Sequence, residues 1–143
     1  MKSFKSIALA TAIAATTAFA AAASAAEADD RNTTVILVHG AFAESASWNG
    51  VVPRLTARGY TVVAAGNPLR SVAGDAEVVD GLVERAPGPV VLVGHSYGGA
   101  VISNVHTNPK IKALVYVAAF APEQGETVLE LTGRFPASTL PAA

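Results

Sequence analysis

A chain of 143 residues with 10 basic and 11 acidic side chains is the size of one domain, and a net charge of −1 gives it no basic face for nucleic acid. It has no cysteine, which excludes disulfides and a cysteine-borne lipid anchor. Stability must therefore come from burial of apolar surface, and 51% of the residues are hydrophobic.

The chain opens on what reads as an export signal. Lys2 and Lys5 form a positive n-region and residues 7–23 an Ala-rich apolar stretch. Ala23 and Ala25, or Ser24 and Ala26, fit a small-residue cleavage site. Ala and Thr make the stretch only weakly hydrophobic, so cleavage is expected rather than a stable membrane anchor. On this reading residues 1–26 are a signal peptide, residues 27–143 form the domain, and the protein is exported, periplasmic or secreted. Loss of Lys2 and Lys5 leaves 8 basic against 11 acidic residues, a net charge of −3.

Residues 27–32 form a polar lead-in. The β-branched run over 33–38 predicts a strand buried on both faces, ending at His39-Gly40. A helix is expected next, capped by Ser47, with Trp48, Val51, Val52 and Leu55 on one face and Gly59 as a left-handed stop. A second strand is expected over 61–65. A second helix follows, with Asp75 as N-cap and Val78, Val79, Leu82 and Val83 inward. The break Pro87-Gly88-Pro89 leads into a third strand over 90–93, then a helix over about 98–107. A fourth strand is expected over 113–117, a short amphipathic piece over 128–131, and an irregular tail marked by Pro136 and Pro141. The order βαβαβαβ predicts an α/β fold, a doubly wound parallel sheet with helices on both faces and right-handed crossovers. Ligand sites on such sheets lie beyond the C-terminal strand ends. The loops after His39, Ser96 and Phe120 should therefore converge on one rim.

The most informative segment is Gly94-His95-Ser96-Tyr97-Gly98, directly after the third strand. It fits Gly-x-Ser-x-Gly, in which a serine sits on a sharp strand-to-helix turn. Gly94 and Gly98 are expected because side chains there would meet neighbouring backbone. A serine poised for acyl transfer also needs oxyanion donors, a base and a residue that orients the base. The donors are expected from the Tyr97 N–H, after the serine, and from the Ala41 N–H in the His39-Gly40-Ala41-Phe42 loop. Gly40 lets that loop fold over the serine. The base is the difficulty, because the chain has only His39, His95 and His106. His39 is expected to hydrogen-bond backbone, His95 to be directed away by the turn, and His106 to lie about two helical turns or more from Ser96. Asp75 and Asp80 read as an N-cap and a solvated helix position. Trp48 could line an acyl pocket but at helical spacing reads as core, and Asn67, at a strand end before Pro68, could face the rim but reads as a turn residue.

Three segments together resemble the α/β-hydrolase superfamily, in its branch of small serine esterases and hydroxynitrile-lyase-like enzymes. They are Val-Leu-Val-His-Gly-Ala-Phe with a Trp a few residues on, Val-Leu-Val-Gly-His-Ser-Tyr-Gly-Gly, and Ala-Leu-Val-Tyr-Val-Ala-Ala-Phe-Ala-Pro. The resemblance covers residues 33–131. It implies Ser96 as nucleophile, Ala41 and Tyr97 as the oxyanion hole, a small ester or related substrate, and no metal or organic cofactor. It also implies a triad acid and histidine on later strands, beyond a cap that would follow the fourth strand. The chain therefore reads as the N-terminal part of a hydrolase, without cap, triad acid or triad histidine. Its fourth strand would then be an exposed apolar edge, open to self-association. The same motifs are compatible with C–C or C–CN cleavage and with cofactor-free peroxidase chemistry. A serine at the turn argues against dehalogenases of this fold, which use aspartate. A non-catalytic binding protein on the same scaffold is the alternative from another class.

Overall fold

Side chains with two branches at Cβ fit the pleated surface of a sheet covered on both faces, and the run after Thr33 forms such a strand. β1 (Thr34–Val38) is buried along its whole length. The computed structural model describes residues 32–123 and 125–134, so the expected signal peptide over 1–26 and the expected irregular tail with prolines at 136 and 141 lie outside the described residues. The other strands are β2 (Thr61–Ala65), β3 (Val90–His95) and β4 (Ile111–Val117). They form one sheet in the order β2-β1-β3-β4. All three pairings are parallel, with Val38 beside both Ala65 and Gly94, and His95 beside Val117.

The helical elements are a 3₁₀ turn at Ser45–Trp48, α1 (Val52–Thr56), α2 (Val72–Arg85), α3 (Tyr97–Ser103) and α4 (Val128–Gly133). Side chains alternate across the strands, so each sheet face gathers its own cluster. Ile36, Val38, Val90 and Leu92 pack with Ala76, Val79 and Val83 of α2 and Val101 and Ile102 of α3. Val35 and Leu37 pack on the other face with Trp48, joined by Val51, Val52, Leu55, Val91 and Val93. Each fully buried Val or Ile contributes about 1.5–3 kcal/mol relative to exposure. The doubly wound α/β arrangement expected from the element order is the one observed.

Three expectations need correction. The helix expected from Ser47 is split in two, because Asn49-Gly50 separates the 3₁₀ turn from α1, and neither element has a side-chain cap. Gly59 does take a left-handed conformation, with φ 94°, after α1. The helix after the glycine-rich turn ends at Ser103 rather than near 107. The Asn104 side chain donates to Ala100 O (2.9 Å) while its N–H turns to Val101 O, so side chain and backbone compete and the α ladder stops. Finally, α2 is capped by Ser71, whose Oγ accepts from Gly74 N–H (3.1 Å), and Asp75 lies inside the first turn, fully buried. Asp75 precedes Val79 by four residues, and that spacing puts it on the inward face.

Asp80 is tied rather than simply solvated. Its two carboxylate oxygens take the His106 N–H (3.0 Å) and the His106 ring Nδ1 (2.6 Å), which pins the chain after α3 to α2. This hydrogen bond, reinforced by charge attraction to Asp80, raises the pKa of the exposed His106 ring above the ordinary histidine value. The resulting stabilisation is fully present below the unfolded value of about 6.5 and is lost as pH rises through the raised folded value. In wild type the melting temperature should therefore fall over that window, and Asp80→Asn should flatten the fall in a thermal scan series. An unchanged profile in the variant would rule the pair out as the source.

β4 pairs only with β3 among the described residues. Its apolar side chains are open to solvent, with Leu114 at 40%, Val115 at 42%, Tyr116 at 38% and Val117 at 42% exposure. The expected exposed edge is present.

Candidate active site

The chain runs from β1 outward to β2 and then returns to place β3 on the other side of β1. The sequential order thus reverses between the carboxyl ends of β1 and β3, where parallel α/β sheets form ligand crevices. His39-Gly40-Ala41 leaves one of those ends, and Ser96-Tyr97 leaves the other. Register and sequence motif therefore meet at one point.

Ser96 is the N-cap of α3, half-buried, with φ 52° and ψ −121°, a conformation that L side chains rarely adopt. The turn is closed by the absence of three side chains. A Cβ on Gly94 would come within 2.5 Å of Gly98 O, and one on Gly98 would overlap the Val38 carbonyl oxygen. One on Gly99 would overlap the Phe120 carbonyl oxygen. Glycine at 94 and 98 was anticipated on these grounds; Gly99, at the crossing of α3 with the chain after β4, was not. The β1 loop lies equally close, since a Cβ on Gly40 would sit 3.1 Å from Ser96 Cβ.

Two peptide planes beside Ser96 are clamped by their carbonyls. Gly40 O accepts from Ala43 N–H (3.2 Å) and from the His39 ring (2.9 Å). Ser96 O accepts from Gly99 N–H (3.0 Å) and Phe120 N–H (3.2 Å). No peptide here is cis, so each carbonyl points opposite to the N–H of its own plane. Fixing Gly40 O and Ser96 O therefore fixes the directions of the Ala41 and Tyr97 N–H groups. Ala41 is exposed and Tyr97 half-buried.

The His39 tautomer follows from its partners. Nε2 accepts from Asn67 N–H (3.2 Å), so the ring proton is on Nδ1 and is donated to Gly40 O. The Asn67 side-chain amide donates to His39 O (3.1 Å). His39 is buried and has both nitrogens engaged with main chain, as expected of it. His95 packs edge-on to the Trp48 indole at 6.4 Å between ring centroids, beside Gly40. Trp48 is core, as its helical spacing suggested. Phe42 is fully exposed. His106 is remote from the turn, bound to Asp80.

Sequence reasoning missed two residues that the structure brings to the site. Asn67, read as a turn residue, is buried against His39. Asp75, read as a cap, accepts the Tyr97 phenol (2.9 Å) and Leu69 N–H (3.1 Å). Burial, with the Asp75 hydrogen bond and charge behind it, holds the Tyr97 phenol far above the ordinary tyrosine range, so it remains a donor. An acid on the apolar stripe of α2 was the signal for Asp75; Asn67 had none in the sequence beyond its place at a strand end.

A doubly wound sheet with a strained serine at the reversal of strand order is an α/β-hydrolase arrangement. The alpha/beta hydrolase family model matches residues 35–143, and the chain belongs to that family. It is 37% identical over 108 residues to the pyrethroid hydrolase of Sphingobium wenxiniae, covering 66% of this chain and 39% of that protein. It is 54% identical over 44 residues to a carbendazim hydrolyzing esterase of Nocardioides, covering 29% of this chain and 18% of that protein. The crystal structure of a pyrethroid hydrolase from Sphingobium faniae superposes with a TM-score of 0.57 at 36% identity, over 61% of this chain and 40% of that one. An extracellular α/β-hydrolase from a Paenibacillus species gives 0.60 at 28% identity, over 73% and 47%. The chain thus spans at most about two fifths of the curated relatives it matches.

Proposed function

We propose that these residues carry the nucleophile and oxyanion hole of a serine hydrolase acting on small esters or related acyl compounds. The observation that carries the reading is the placement of Ser96, in a strained turn at the switch point, between two carbonyl-clamped peptide planes. Ser96 Oγ attacks the acyl carbonyl, the Ala41 and Tyr97 N–H groups take the developing oxyanion, collapse of the tetrahedral intermediate breaks the ester C–O bond and expels the alcohol, and water then hydrolyses the acyl-enzyme to the acid and free serine. Such donors are worth roughly 2.7–4 kcal/mol each by the cost of removing one. The proton on Oγ needs an acceptor, and none of the three histidines suits the role. His39 has no free ring nitrogen, His106 is held at Asp80, and His95 packs on Trp48. The base and its orienting acid are therefore proposed to lie outside these 143 residues. Hydrolase and esterase relatives that this chain only partly spans support that reading.

The test is intact-mass analysis of the protein from its own source, before and after a fluorophosphonate, which needs an activated serine. The expected result is one adduct on Ser96 in a chain heavier than these residues, starting near Ala26 or Glu27 if the leader is cleaved on export. A mature chain ending at Ala143 with no adduct would favour a non-catalytic scaffold instead.

The β4 edge supports one further proposal, that the isolated 143-residue polypeptide self-associates. Light scattering should give a mass above the monomer, and Val115→Lys, which charges that edge, should restore the monomer. A monomeric wild type would refute it.

A further inference from the structure

Both oxyanion donors are held, one step removed, by the connection between β2 and α2 together with the first turn of α2. At its start, Asn67 grips His39 twice, from its backbone N–H to the ring Nε2 and from its side-chain amide to the carbonyl. That grip fixes the ring whose Nδ1–H clamps Gly40 O and so aims the Ala41 N–H. Two residues on, Leu69, with φ 56°, turns its N–H to the Asp75 carboxylate. The other oxygen of Asp75 holds the Tyr97 phenol, at the residue whose N–H is the second donor. Asp75 and Asn67 are both buried. An apolar side chain would lose the Asn67 amide bond to His39 O and both Asp75 bonds, and would keep only the main-chain N–H of residue 67 on the His39 ring.

We propose that residues 67–75 brace the oxyanion hole, with Asn67 acting through His39 on Ala41 and Asp75 acting on Tyr97. Both are positioning residues, since neither touches the reacting atoms. The inference rests on the serine-hydrolase reading. It goes beyond it by giving the hole's alignment to a loop and a helix turn that contribute none of its donors. A brace of this kind matters when charge develops on the carbonyl oxygen, and less when the neutral substrate binds. Loosening it should lower kcat and leave KM nearly unchanged.

The experiment is steady-state hydrolysis of p-nitrophenyl butyrate by the protein as its source produces it, with rates expressed per fluorophosphonate-titrated site. Asn67→Ala and Tyr97→Phe should each lower kcat by about tenfold, less than the hundredfold or more for outright removal of a donor, with KM within about twofold. His39→Leu should lower kcat further. His39→Asn, whose amide can reach Gly40 O from near the Nδ1 position, should recover much of that loss. If the variants lose only thermal stability while kcat per titrated site is unchanged, the loop is merely structural and the inference fails alone. If His39→Asn is no better than His39→Leu, the clamp on Gly40 O is not what His39 contributes, and the Asn67 arm falls. A wild type that takes no adduct on Ser96 overturns the serine reading itself, and this inference with it.

Discussion

Ser96→Gly is expected to give a protein that melts at a higher temperature than wild type and hydrolyses no ester. The serine stands at φ 52° and ψ −121°, and its backbone is over-determined by neighbours, since Ser96 O takes two N–H groups and Ser96 N–H lies 3.4 Å from Val117 O. Holding a side chain in so sparse a region costs about 1–3 kcal/mol. Glycine removes that strain but frees the unfolded chain, which offsets about 0.4–1 kcal/mol. The strain term wins, for a net gain of about 1 kcal/mol, or roughly 2–4 °C in Tm. Ser96→Ala keeps a Cβ and hence the strain, so it should melt close to wild type. Both variants should lose hydrolysis by on the order of 10⁴-fold or more, as removal of a nucleophile does elsewhere. Thermal unfolding and an ester assay on the same preparations separate the two effects. A Gly variant less stable than the Ala variant would mean that the turn is not strained. Retained activity in either would remove Ser96 from the chemistry.

Much of this fold was legible because the signals were local. β2 falls on the residues that its β-branched run marks, and the remaining strands differ from expectation by no more than two residues at either end. The Gly-x-Ser-x-Gly turn was legible for the same reason, since its strain, its glycines and its strand all lie within ten residues. The helices were read less well. α1 is cut short by the Asn49-Gly50 turn, and α3 by the Asn104 side chain, which takes the Ala100 carbonyl. Asn67 and Asp75 lay beyond sequence reading for a deeper reason. Their partners, His39 and Tyr97, are 28 and 22 residues away in the chain, and only the β2-β1-β3 strand order brings them together. Polar residues that act at long range look, in sequence, like caps and turns.

The glycines make the same point with opposite signs. Gly98→Ala is expected to cost upwards of about 3 kcal/mol, a large share of the roughly 5–15 kcal/mol that holds a domain folded. Its Cβ would overlap the Val38 carbonyl oxygen and lie 2.9 Å from that of His39, and both neighbours are main chain at the end of a buried strand. Neither can rotate aside. Relief requires α3 to move off β1, and that separates the Ser96–Tyr97 peptide from the Gly40–Ala41 peptide. Gly81→Ala, the identical chemical change, should instead stabilise by about 0.5–1 kcal/mol. Gly81 lies inside α2, and its Cβ would meet only the Arg85 guanidinium, at 3.3 Å, on a side chain free to swing away. Urea unfolding of the two variants beside wild type measures both signs at once. A loss below about 1 kcal/mol at Gly98 would mean that the two peptide planes are not in close register, since β1 and α3 could then part without cost. The rim of the sheet has room for a strained serine only because the positions around it have none for a methyl group.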